Sequence, residues 1–259
     1  MNQYGLVYVL MKIEFDRIST TDFYQKFDTF SSFLKKSYPI SPPINQIKAF
    51  KVDMKNFREE QPEVTQFEIP MMTFLSPEKD FGIRVAPDFL IVHTKKYQGF
   101  NDIRERVNSI LKALIDTYDI SYYSFLGLRY VNKFEYSETS EFNNLIKRTD
   151  FLQPKLCDWG RAGSNMTSSY LDLTNDITLA LNTGVMINAP VVSPDLIEIA
   201  SDFIEPTKRL DGPIAHIDID TSFSTDDGSM KPLSVDEIIS NLSMLRDAAN
   251  KAYKNIIVS

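Results

Sequence analysis

The sequence predicts an α+β fold built from two antiparallel-sheet modules, each curled against a long amphipathic helix. Three observations carry this expectation. Segments rich in Val, Ile, Phe and Tyr, punctuated by Pro and charged turns, recur along the chain. Two long stretches place apolar residues at helical spacing, and each half runs several strands before such a helix. The polar stretch 137–140 separates an N-terminal strand-helix-strand module (1–136) from a C-terminal strand module closed by a long helix (141–259). APDFLIV at 86–92 is echoed by SPDLIEI at 193–199, which points to an internal duplication.

The first element, 4–15, is an apolar strand. It lacks the basic region and cleavage site of a signal peptide. Ser19 to Asp22 then resembles a capping box, and Phe23, Phe27, Phe30 and Leu34 follow at helical spacing; Pro39, Pro42 and Pro43 stop the helix near Tyr38. Strands are expected at 47–54, 64–75 and 82–95. Ile103, Val107, Ile110, Leu111, Leu114, Ile115 and Tyr118 form a single stripe, with Arg104, Glu105, Asn108 and Lys112 opposite. The strand 121–136 puts Leu126, Leu128, Tyr130, Asn132 and Phe134 on one face and Arg129, Val131 and Lys133 on the other. A hairpin spans 170–188, turning at Asn182-Thr183-Gly184. Residues 193–203 fit either a helix opened by Ser-Pro-Asp or a strand. After a strand at 214–223, Ser234 caps a last helix carrying Ile238, Leu242, Leu245, Ala249, Ala252 and Ile256.

Composition narrows the function classes. Of the 259 residues, 43% are apolar and 24% charged, the range of an ordered globular chain. The net charge of −7 opposes a dedicated nucleic-acid binder, which needs a basic surface. Lys95, Lys96, Tyr97, Arg104 and Arg106 make a local basic patch, read as a solvated face. The single cysteine, Cys157, beside Trp159, excludes an intramolecular disulfide and fits a reducing cytoplasm. No apolar run approaches the ~20 residues that span a bilayer. With neither a phosphate-binding Gly loop nor a Gly-x-Ser-x-Gly elbow, no cofactor is expected.

Two segments carry candidate chemistry. In AHIDID (215–220), alternation points His216, Asp218 and Asp220 the same way. One reading is a Mn²⁺ or Mg²⁺ centre for phosphodiester hydrolysis, joined by Asp226 and Asp227. The favoured reading is the wet side of a strand whose dry side is Ala215, Ile217 and Ile219. In Gly127-Leu128-Arg129-Tyr130-Val131-Asn132, the candidate ligand- or partner-binding residues are Arg129, Tyr130 and Asn132. Arg129 would pair a carboxylate or phosphate and Asn132 would fix orientation. The alternative is an internal network in which Arg129 pairs an acid such as Glu14 or Asp88 and Asn132 satisfies a loop backbone.

GIRVAPDFLIVHTKKYQGFNDIRERVNSILKAL, then FLGLRYVNKFEY, then IDID and the closing helix around Leu245, resemble an uncharacterised, sporadically distributed prokaryotic family. That family has a GLRYxNR strand motif and a C-terminal LDID strand plus helix. The matching positions are Pro87, Asp88, Tyr97, Gly127 to Tyr130, Asn132 and Ile217 to Asp220. The chain departs at Lys133, where the family has Arg, and at Arg246, where it has His. The resemblance transfers no settled activity. Its patchy distribution is like that of toxin-neutralising or anti-phage genes. The expectation is therefore a cytoplasmic, non-enzymatic binding or regulatory protein that engages a protein from the same operon or a small ligand. A homo-oligomer is left open. The alternatives are the metal-dependent nuclease or hydrolase, and a small-ligand module whose sheets enclose an apolar cavity beside a long helix.

Overall fold

A computed structural model describes residues 5–53, 63–136, 143–147, 163–172, 174–225 and 229–258. Cys157, Trp159, Asp226 and Asp227 lie outside them. In chain order the elements are β1 (Leu6–Phe15), α1 (Thr20–Gln25), α2 (Phe27–Leu34), β2 (Asn45–Asp53), β3 (Glu63–Leu75), β4 (Phe81–Ala86), β5 (Phe89–Thr94), α3 (Phe100–Tyr118), β6 (Tyr122–Glu135), β7 (Gly163–Asp172) and β8 (Ile177–Ile187). A 3₁₀ turn (Pro194–Leu196) then leads into α4 (Ile197–Ala200), followed by β9 (Pro213–Ser224), β10 (Lys231–Pro232) and α5 (Val235–Ile256).

The strands form one antiparallel sheet of ten strands, ordered β2-β3-β4-β5-β1-β6-β9-β8-β7, with β10 beside β6. Two separate sheets were the expectation. They are joined because β6 and β9, one from each half, pair from Phe125↔Ser224 to Glu135↔Ile214. The two Pro-Asp segments are not equivalent either. Pro87 and Asp88 form the turn between β4 and β5, splitting the strand expected at 82–95, whereas Pro194 and Asp195 open the 3₁₀ turn. Within 193–203 the chain is thus helical from Pro194 to Ala200 and then turns, with no strand.

Helices α1, α2, α3 and α5 cover one face of the sheet. Ser19 caps α1 by accepting from the Asp22 N–H at 3.1 Å, but the helix expected to reach Tyr38 breaks at Lys26 into α1 and α2. On α3 the buried residues include Ile103, Val107, Ile110, Leu111 and Leu114, and on α5 Ile238, Leu242, Leu245, Ala249 and Ile256. They pack on Val9, Met11, Ile13, Leu126, Leu128, Ile217 and Ile219 of the central strands. Each such aliphatic side chain contributes about 1.5–3 kcal/mol.

The second hairpin turns elsewhere than expected. Asn182, Thr183 and Gly184 lie inside β8. The chain reverses between Asp172 and Ile177, where the Asp172 carboxylate accepts from Thr174 N–H and Asn175 Nδ2, each at 2.9 Å, and Asp176 takes a left-handed φ of 53°. Gly184 instead permits close strand approach: a Cβ there would meet the Ser164 carbonyl oxygen at 2.0 Å.

Between the paired strands β8 and β9 the chain makes one long excursion, 188–212, over the other face of the sheet. Its stem is closed by Asn188 N–H to Gly212 O at 3.0 Å and Leu210 N–H to Ala189 O at 2.8 Å. Val192, Leu196 and Ala200 bury against Tyr8, Leu10, Ile91 and Val131. We call this excursion the cap.

Candidate functional site

The face under the cap is built by strict alternation. Tyr8, Leu10 and Lys12 of β1, His93 and Ile91 of β5, Gly82 and Arg84 of β4, Arg129, Val131 and Lys133 of β6, and His216, Asp218 and Asp220 of β9 all share it through their ladder partners. Two arginines dominate its electrostatics.

Arg129 donates from Nε to Asp218 Oδ1 at 2.8 Å and from Nη2 to Asp218 Oδ2 at 2.7 Å. It also donates from Nη1 to Asp195 Oδ2 at 2.5 Å. Ser193 Oγ donates to Asp218 Oδ2 at 2.5 Å. Ser193 and Asp195 belong to the start of the cap, so this pairing fastens it to the sheet. Farther along, Arg84 donates from Nε and Nη2 to Asp202 at 2.9 and 3.0 Å and from Nη2 to the Glu198 carbonyl at 2.9 Å. His93 Nε2 lies 3.3 Å from Asp202, and the Tyr8 hydroxyl donates to His93 Nδ1 at 2.7 Å. Burial raises the Asp202 carboxyl, but His93 and Arg84 more than offset it and hold it below its usual range. Burial keeps His93 neutral by lowering its pKa.

The remaining buried titratable groups are the pair Lys133 and His216 and, opposite Arg129, Asp220. Lys133 and His216 face each other across the β6–β9 ladder and are 5% and 4% exposed. His216 Nε2 lies 2.9 Å from Asn165 Oδ1, an acceptor, which assigns the ring proton to Nε2. Nδ1 is buried without a hydrogen-bond partner among the described residues. Burial, helped by Lys133, lowers the His216 pKa to about 4. Burial also lowers that of Lys133, against the pull of Asp218. Asp220, half-buried, is raised to about 6 by burial, against the attraction of Arg129.

The structure does not bring Arg129, Tyr130 and Asn132 together. Arg129 lies under the cap; the other two are buried on the helix face. Asn132 Nδ2 donates to the Ile217 carbonyl at 3.1 Å, and Tyr130 meets the Tyr97 ring edge-on at 5.9 Å. The acids that Arg129 meets are Asp218 and Asp195, not Glu14 or Asp88. His216, Asp218 and Asp220 do share a face, but it is not a wet one: Asp218 is 2% exposed because the cap folds back over it. Among the described residues, no three His, Cys, Asp or Glu side chains are placed to hold a metal ion. In the basic patch, Lys95 donates to the Phe203 carbonyl at 3.2 Å and Arg106 to Asp102 at 2.9 Å.

Sequence reading missed Arg84, Asp202 and Ser193. Arg84 had a signal, a charge inside the apolar run Gly82-Ile83-Arg84-Val85-Ala86, which burial tolerates only with a partner.

One concavity adjoins this network and another lies apart from it. The first, about 580 Å³, is polar and lined by Asn45, Thr73, Arg84, Glu198, Ser201 and Asp202. The other, about 450 Å³, lies between the β7–β8 hairpin and α5, lined by Tyr170, Leu171, Ile177, Leu179, Ala252 and Ile256 among others, with Lys251 at its edge. Tyr170 and Leu171 are 50% and 61% exposed. No helix among the described residues is long and apolar enough to cross a membrane. No protein-family model matches the chain, and no curated protein matches it.

Proposed function

We propose that this chain is a non-enzymatic binding or regulatory protein and that it engages its partner through the apolar groove between the β7–β8 hairpin and α5. The observation that supports this reading most is that groove, apolar along its floor and flanked by the exposed Tyr170 and Leu171. Exposed apolar surface of that kind marks interaction sites. The polar concavity is the weaker candidate, because its arginine is already engaged by Asp202 and Glu198. The occupant is an apolar segment of a partner protein encoded beside this chain, in a cytoplasmic toxin-neutralising or anti-phage setting. The acidic composition and single cysteine suit that compartment.

The test is co-expression with the neighbouring gene product. Ala252→Glu puts a charge on the groove floor while keeping a good helix former. The wild type should co-purify in fixed stoichiometry and the variant should lose the partner with an unchanged circular-dichroism spectrum. A wild type that emerges as a bare chain, or a variant that retains the partner, contradicts the reading.

A further inference from the structure

Strand β7 ends the sheet. Among the described residues no strand pairs with its outer edge. Exposed edges are ordinarily protected from self-association by Lys, Pro or a bulge. Here none appears: the pairing with β8 runs in unbroken register from Gly163↔Met186 to Asp172↔Ile177. The sequence GSNMTSSYLD carries a single charge, Asp172, at its end. In a chain of net charge −7 this is a nearly neutral strip on which two copies meet without like-charge repulsion. Met166 and Tyr170 lie on the helix side of the strand, opposite Thr183 and Leu179, and are 36% and 50% exposed.

We propose that a second copy of this chain adds to β7 in antiparallel register about a two-fold axis through Ser168, continuing the sheet across the dimer. The axis is fixed by the strand's own side chains. With Ser168 opposite itself, Met166 of each copy falls opposite Tyr170 of the other, a thioether against an aromatic ring, made twice. Asp172 falls opposite Ser164. Moving the axis to Thr167 sets Tyr170 against Ser164, and moving it to Ser169 sets Asp172 against Met166; both lose the aromatic pair. A two-fold perpendicular to the sheet keeps the helices of both copies on one side. Because Tyr170 also lines the groove, the second copy walls its open flank, a consequence that rests on the groove being the partner site.

The test uses the full chain with Cys157→Ser, adding Ser168→Cys or Leu171→Cys. Residues directly opposed on antiparallel strands have Cα atoms about 4.5–5.5 Å apart, within disulfide reach. Mild oxidation should therefore link Ser168→Cys chains and leave Leu171→Cys chains, which face Asn165, unlinked. By sedimentation equilibrium the parent should be a dimer, and Met166→Lys or Tyr170→Asp alone a monomer. The two changes combined should restore the dimer, because each introduced lysine then faces an introduced aspartate. A monomeric parent, equal cross-linking at both positions, or a folded combined variant that stays monomeric overturns the proposal. A dimer of the expected kind that fails to bind the neighbouring gene product refutes the groove reading alone.

Discussion

Arg129 on β6 and Asp218 on β9 form a bidentate ion pair, at 2.8 and 2.7 Å, diagonally across neighbouring rungs of one ladder. With Ser193 and Asp195 added, the pair joins two strands and the cap in one network. Charges placed this way serve the fold, because each is desolvated and then satisfied by fixed partners.

Removing one partner leaves the other charge buried. Asp218→Ala is expected to destabilise the protein by about 3 kcal/mol, as a broken buried pair does, measured by urea unfolding near neutrality. Asp195, 61% exposed, only partly replaces it. Asp195→Ala removes a better-hydrated contact and should cost less than about 1 kcal/mol.

At the far end of the cap, Arg84 has one role and a local consequence. Arg84→Ala should accelerate hydrogen exchange of the Ser201, Phe203 and Ile204 amides, which bond within the cap, by about tenfold or more. Exchange in β1 and β6 should remain at the global rate. Equal acceleration throughout would show that the cap does not open separately.

The pH dependence has two opposing parts. His216 is lowered from 6.5 to about 4, so the unfolded chain binds its proton first and stability falls as pH drops through that window. Asp220 is raised from 3.8 to about 6, so the folded state binds its proton first and stability rises as pH drops from about 6 towards 4. His93, buried and held neutral in the same way, adds to the loss on acidification. The wild type should therefore lose stability as pH falls between these limits; His216→Gln should make that loss shallower, and Asp220→Asn should make it steeper. Identical profiles for the two variants would contradict the burial of these groups.

Gly184 tests the β7–β8 contact. Gly184→Ala forces a Cβ against backbone, the Ser164 carbonyl, and not against a flexible side chain. It should lower the melting temperature as a loss of about 2–3 kcal/mol. Gly212→Ala, which meets no atom within 4 Å but has a φ of 74°, should cost nearer 1 kcal/mol.

Much of the fold was legible because it is locally encoded. The spacing of Ile103, Val107, Ile110 and Leu114 marks the buried side of α3, and alternation sorts Arg129 from Tyr130 on β6 before any partner is known. What alternation cannot say is what covers a face. His216 and Asp218 share one face, as their spacing requires, yet the cap that covers Asp218 is an excursion whose own residues read equally as helix or strand. Nor does local pattern reveal long-range partners: Arg129 meets acids 66 and 89 positions away. The hairpin turn was misplaced because Asn182-Thr183-Gly184 has turn composition, while the glycine is there for strand approach.

The most direct measurement is the unfolding free energy, with and without Mn²⁺, of the double variant Arg129→Met/Asp218→Leu beside each single change. If the pair is a structural fastening, both singles lose about 3 kcal/mol, the double recovers most of it, and Mn²⁺ shifts none of them. A double variant as unstable as the sum of the singles, or a wild type stabilised by Mn²⁺ through Asp218, would mean that these charges exist for chemistry and not for the cap.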